Sequence, residues 1–170
     1  NKLFVGIKYG VDGKHVAMSI ATKVDEKIFV ESIDCQSVRN GNTWIISFLK
    51  EADIEKVVID GSGSQQILSD EIKDYGIKLK PVLPKVSDVV VANNMFEQAV
   101  TSSKNICHND QPSLKQIITN CKRRAIGTNG GFGFKAMMEE HEIALLDSVI
   151  LAHWACATYK GVKKKQKISC

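Results

Sequence analysis

Apolar positions in the first third of the chain follow the short period of strands. Leu3-Phe4-Val5-Gly6-Ile7, Val16-Ala17-Met18-Ser19-Ile20 and Ile28-Phe29-Val30-Glu31-Ser32-Ile33 are linked by Gly10-Val11-Asp12-Gly13 and by Val24-Asp25-Glu26-Lys27, both suited to tight turns. Three consecutive antiparallel strands are predicted. The period then becomes helical, with Asn42 placed to cap a helix carrying Trp44, Ile45, Phe48 and Leu49. Val57 to Asp60 is a short apolar run of the kind covered on both faces inside a sheet. Ser62 and Gln65 have the spacing of a capping box for a helix that buries Ile67, Leu68 and Ile72 and stops at Gly76. Lys80 to Leu83, bounded by Pro81 and Pro84, supplies only a short or edge strand.

Three more helices are expected. Val89, Ala92, Phe96, Ala99 and Val100 mark the first. Asp110 or Gln111 caps the second, with Pro112 in its first turn and Leu114, Ile117, Ile118 and Cys121 on its buried face. The last runs from Glu142 to Tyr159. Before it, Ile126 to Phe134 contains Asn129-Gly130, a hairpin signal. The whole is α/β: a mixed five-stranded sheet, made of three antiparallel N-terminal strands plus a central and an edge strand, flanked by helices. That is the element order of the ribonuclease H-like fold.

With 170 residues and 44% hydrophobic content, one domain is expected over residues 1–160, followed by a basic, disordered tail over residues 161–170. There is neither an apolar run of membrane-spanning length nor a signal-peptide pattern, so the chain reads as soluble and intracellular, with no membrane partner. Its 5 cysteines are odd in number and never arranged as Cys-x-x-Cys, which argues against a zinc knuckle or a disulfide framework. Cys121 and Cys156 fall on apolar helical faces and read as small buried hydrophobes. The net charge of +4 is unevenly spread, with one cluster at Lys122-Arg123-Arg124 and another in the lysine tail. Such clusters suit a polyanion such as nucleic acid, or simply solvate a helix end and a tail.

Two acids stand out. Asp147 falls on the apolar stripe of the last helix with Ile143, Ile150 and Trp154, where a carboxylate needs a partner. Asp60 ends the buried run Val57-Val58-Ile59 and is followed by Gly61-Ser62-Gly63. A hard cation held by both is one solution. A turn role for Asp60 and a buried ion pair for Asp147 are the alternatives. The glycines do not form a nucleotide loop, because Gly61-Ser62-Gly63-Ser64 lacks the P-loop lysine.

From Leu3 through Tyr159 the chain resembles the C-terminal nuclease domain of tailed-bacteriophage and prophage terminase large subunits. The resemblance is carried by Val57 to Gly61, Ile106 to Pro112, Asn120 to Arg124, the Gly127 to Phe134 hairpin and Ile143 to Ala152. It implies a metal-dependent endonuclease that cuts concatemeric double-stranded DNA during genome packaging, in the cytoplasm of the bacterial host. The implied cofactor is a pair of Mg²⁺ or Mn²⁺ ions, with Asp60 and Asp147 as ligands. The implied partners are DNA, the terminase small subunit and the portal protein. The ATPase half of such a subunit is absent, so the chain is expected to be one domain of a longer protein. His108 becomes a candidate ligand or proton-transfer group, or a turn histidine with no function. Lys135 either touches the scissile phosphate or is solvated. Lys122, Arg123, Arg124 and Asn129 would form a DNA-contacting rim through phosphate, which implies no base sequence.

The departure from the family is Lys8, which stands in Gly6-Ile7-Lys8-Tyr9-Gly10 where the family has its first acid. Lys8 admits three readings. It abolishes catalysis, with its ammonium lying between Asp60 and Asp147 as a tethered counter-ion; or the strand register is shifted and Asp12 is the ligand; or two acids suffice. A resolvase-like nuclease of the same fold and a non-catalytic DNA-binding or assembly module are the competing functions.

Overall fold

In the computed structural model, residues 1–103, 106–108 and 140–161 are described. The strands are β1 (Leu3–Tyr9), β2 (His15–Val24), β3 (Lys27–Ser37), β4 (Ile54–Asp60) and β5 (Ile106–His108). The helices are α1 (Thr43–Glu51), α2 (Ser64–Asp74), α3 (Val86–Gln98), which continues into a π-helical turn at Ala99–Ser103, and α4 (Glu140–Ala157). The sheet order is β4-β1-β2-β3-β5. β1, β2 and β3 form the expected antiparallel meander, while β4 runs parallel to β1 and β5 parallel to β3.

Local chemistry explains the meander. Val24 pairs with Lys27 across a two-residue turn in which Asp25 takes φ 55°, a conformation short polar residues tolerate. At the other turn, Gly10 N donates to the His15 carbonyl at 2.8 Å, and Asp12 Oδ1 accepts from Lys14 N at 2.9 Å.

The sheet is mixed and has five strands, but the fifth is not the one predicted. Lys80 to Leu83 pairs with β4 only through Val82, which donates to the Val57 carbonyl at 2.9 Å and accepts from Ile59 N at 2.9 Å. Prolines at 81 and 84 remove the donors a longer ladder needs. The fifth strand is instead β5, on the opposite edge.

Alternation along β1 and β4 feeds two cores. Val5, Ile7, Tyr9, Val57 and Ile59 face α1 and α2, burying Ile45, Ile46, Leu49, Leu68 and Ile72. Phe4 and Val58 face α3 and α4, together with Ala92, Phe96, Leu146, Val149 and Ile150. The sheet thus lies between two helical layers, as an α/β/α sandwich.

Several local expectations are corrected. Asn42 precedes α1 but makes no capping bond: its Oδ1 accepts from Tyr9 Oη at 2.8 Å and its Nδ2 donates to Glu71 Oε2 at 3.0 Å. The Ser62 box does not form, because Gly63, with φ 75°, takes the cap position of α2 without a side-chain bond. Ile67 is 59% exposed, on the outer face of α2. Buried residues surround α4 rather than forming a stripe, and Asp147 among them is half-buried. Cys156 is buried as expected, and burial pushes its thiol up to about 11. Cys121 and the residues of the expected second helix and hairpin lie outside the described residues, as does the tail beyond Gly161.

The core of α4 contains a titratable group. His153 is 2% exposed, packs edge-on against Phe96 at 5.6 Å between ring centroids, and its Nδ1 has no hydrogen-bond partner among the described residues. Burial lowers its pKa to about 4, so the fold holds the neutral imidazole. The unfolded chain binds the proton first. Stability from this site is therefore complete above about pH 6.5 and is lost as pH falls toward 4, a total of about 3 kcal/mol. Urea midpoints at pH 7 and pH 4.5 should separate by most of this amount in the native chain and by clearly less in His153→Met; equal separations would refute the assignment.

Candidate functional site

The parallel pair β1 and β4 brings two candidate residues together. The register sets Lys8 opposite Asp60, both near the carboxyl ends of their strands, where open α/β sheets place their sites. Phe4, Gly6 and Lys8 alternate onto the face covered by α4, as Lys56, Val58 and Asp60 do on β4. Lys8 Nζ donates to Asp60 Oδ2 at 2.6 Å, a short, charge-assisted bond. The side chains are only 14% and 20% exposed. Gly61, with φ 143°, ends the strand where a Cβ would lie 2.5 Å from Tyr9 Cβ, so the turn after Asp60 requires glycine. A cavity of about 220 Å³ opens beside the pair, between Lys8, Gly10, Gly61, Ser62 and Ser64.

Of the three readings of Lys8, the shifted register finds no support in the pairing of β1 with β4. Lys8, not its neighbour, faces the side of Asp60. Asp12 belongs to the turn: the Lys14 N–H holds its carboxyl below its ordinary value, and its second oxygen lies 3.3 Å from His15 Nδ1.

Helix α4 is seated on β1 by two features that sequence reasoning missed. A Cβ on Gly6 would lie 2.1 Å from the Ser148 carbonyl oxygen and 2.5 Å from Ala152 N, so the helix backbone rests on the strand backbone. Ser19, which pairs with Gly6 across β1 and β2, shares a 2.7 Å hydrogen bond with Ser148. A glycine inside an otherwise bulky strand was the available signal. Phe4 packs against Tyr159 with ring centroids 5.2 Å apart and planes tilted by 60°, so α4 runs antiparallel to β1 and its earlier turns lie toward the Lys8 end. Asp147 immediately precedes Ser148.

The backbone of His108 is not brought to this pair. It lies in β5, three strands from β1, or about 14 Å across the sheet. Following the ladders from His108 through Val30 and Ala21 leads to Phe4, so it is also about 13 Å along the strands from Lys8. Lys122, Arg123, Arg124, Asn129 and Lys135 lie outside the described residues.

The donors at this pair do not suit a divalent ion. Asp60 is bound to an ammonium, and no group of three or more His, Cys, Asp or Glu side chains is placed to hold a metal among the described residues. The site with Lys8 in it does not fit the metal pair that the family resemblance implies. No helix among the described residues is long and apolar enough to cross a membrane.

No protein-family model and no curated protein matches the chain. Among solved structures, the large terminase of a thermophilic bacteriophage is similar in one crystal form with TM-score 0.51 and 15% identity over 88% of this chain and 38% of that one. A second crystal form of that protein gives TM-score 0.48 and 13% identity, with 88% and 39% covered. The nuclease domain of the bacteriophage SPP1 large terminase, crystallised with Mn, gives TM-score 0.44 and 12% identity, with 71% and 68% covered. The chain thus spans about two fifths of the thermophilic phage's large terminase. In fold, this chain is a ribonuclease H-like α/β domain of the kind found within a phage large terminase.

Proposed function

We propose that this chain is the C-terminal nuclease domain of a tailed-phage terminase large subunit, working on double-stranded DNA during packaging, with its catalytic centre altered at Lys8. The observation that carries this reading is the arrangement of Asp60 at the carboxyl end of β4 beneath a helix that bears Asp147 and crosses β1. One helical turn separates Asp147 from Leu151, whose Cβ lies 3.0 Å from a Cβ built on Gly6. Lys8 lies two residues beyond Gly6 in the direction of the earlier turns of α4, and we take Asp147 as the second acid of the centre.

In this reading an acid at position 8 would join Asp60 and Asp147 in holding Mg²⁺ or Mn²⁺, and the metal would activate water for phosphodiester hydrolysis. The Lys122-Arg123-Arg124 cluster, Asn129 and Lys135 supply phosphate contacts, and His108 takes no part in the centre. Residues 1–160 act as one domain and the lysines beyond it as a basic tail. The small subunit and portal are its assembly partners, and the host cytoplasm is its place of work. The Lys8–Asp60 ion pair favours one further possibility, a domain that holds DNA without cutting it.

Plasmid cleavage with Mn²⁺, by the native chain and by Lys8→Asp, tests the reading. Only Lys8→Asp is expected to cut, and Asp60→Ala placed in that background should abolish cutting. Cutting by the native chain, lost in Asp60→Ala, would make two acids sufficient. Absence of cutting by either would leave the DNA-holding module as the function.

A further inference from the structure

The metal centre implied by the proposed function and the residues present at it disagree, and the disagreement has a direction. We infer that the Lys8 ammonium is the resident cation of this centre, so that the chain carries its own counter-ion and does not load a divalent metal at Asp60. The inference rests on the terminase-type reading only for the expectation that a metal belongs there; the ion pair stands on its own geometry.

Four features support it. The ammonium lies 2.6 Å from the carboxylate, within the space a metal bound to the same oxygen would need. Both side chains are mostly shielded from water, so the pair is weakly screened. Neither residue is on a loop: both sit in paired strands whose register sets them opposite one another, so the backbone holds the base of the lysine side chain beside the carboxylate. The fourth is charge. Replacing an acid by lysine changes the formal charge of the centre by two units, and a divalent ion arriving there meets a fixed like charge a few ångströms away.

An ammonium cannot do the work of the ion it displaces. It has no open coordination position and does not generate hydroxide from water at neutral pH. With Lys8 in place the Asp60 carboxylate has its counter-charge without the metal.

The experiment is Mn²⁺ titration by calorimetry and by the loss of the free-ion spin-resonance signal, on the native chain, Lys8→Asp and Lys8→Gln, with circular dichroism to confirm folding. Lys8→Asp should bind Mn²⁺ at least about 100-fold more tightly than the native chain, with Lys8→Gln between them. Native binding as tight as that of Lys8→Asp would overturn the inference. So would the absence of binding in all three, because Lys8 would then not be what keeps the metal out. If Lys8→Asp fails to fold, Lys8→Gln decides alone: a gain in affinity over the native chain supports the inference and no gain overturns it. Should Lys8→Asp bind Mn²⁺ yet cut no DNA, the counter-ion stands and the nuclease reading falls.

Discussion

Gly6→Ala is expected to lower the melting temperature by about 10 °C. The added carbon would lie 2.1 Å from the Ser148 carbonyl oxygen, 2.5 Å from Ala152 N and 3.0 Å from Leu151 Cβ. The first two are helix backbone, with no rotamer by which to retreat, so α4 must move as a body. Moving it breaks the 2.7 Å Ser19–Ser148 bond, which is buried at both ends. Overpacking of about 2–3 kcal/mol plus about 1 kcal/mol for the lost bond gives about 3–4 kcal/mol. Gly63→Ala is the control: its added methyl group meets nothing within 4 Å, and only its φ of 75° is unfavourable. With ψ −48° this lies outside the left-handed helical well and costs alanine about 1–3 kcal/mol. Differential scanning calorimetry of the two variants decides it, and equal, small shifts would mean that α4 does not rest on β1.

How much of this was legible in the sequence differs by element. The meander was, because its turns carry their own chemistry: a positive φ at Asp25 and an aspartate that caps its own turn at Asp12. The central strand was, because an apolar run of that length ending in Asp60 and Gly61 fits few other structures. The helix caps were not. Asn42 has the right type and place, but Tyr9 and Glu71 compete for its side chain and win. Ser62 loses the cap to Gly63 because the turn after Asp60 needs positive φ twice, at Gly61 and Gly63. Strand β5, three residues long, is held by a partner strand far away in sequence and has no periodicity of its own. At the candidate site, Lys8 could be recognised as a departure from a family pattern. A pairing with Asp60 was one of its three readings, and across 52 residues of sequence only strand register could select it.

Neutralising either member of the Lys8–Asp60 pair should destabilise the domain by about 2–4 kcal/mol, and neutralising both should cost much less than the sum. Asp60→Asn leaves an ammonium 14% exposed without its counter-charge; Lys8→Met leaves a carboxylate 20% exposed in the same position. In the double variant neither charge remains to be desolvated, and the coupling read from the four urea midpoints should be about 2–3 kcal/mol. Additive effects would show that the 2.6 Å contact carries no net energy. The same cycle bears on function. A centre with an acid at position 8 beside Asp60 gathers like charges and is unstable until a cation arrives, whereas lysine supplies the cation permanently. Lys8→Asp should therefore melt below the native chain in EDTA and recover about 3 kcal/mol when Mn²⁺ reaches about 100 times its dissociation constant. The native chain should melt at one temperature in both solutions, because its stabilising cation is covalently part of the strand.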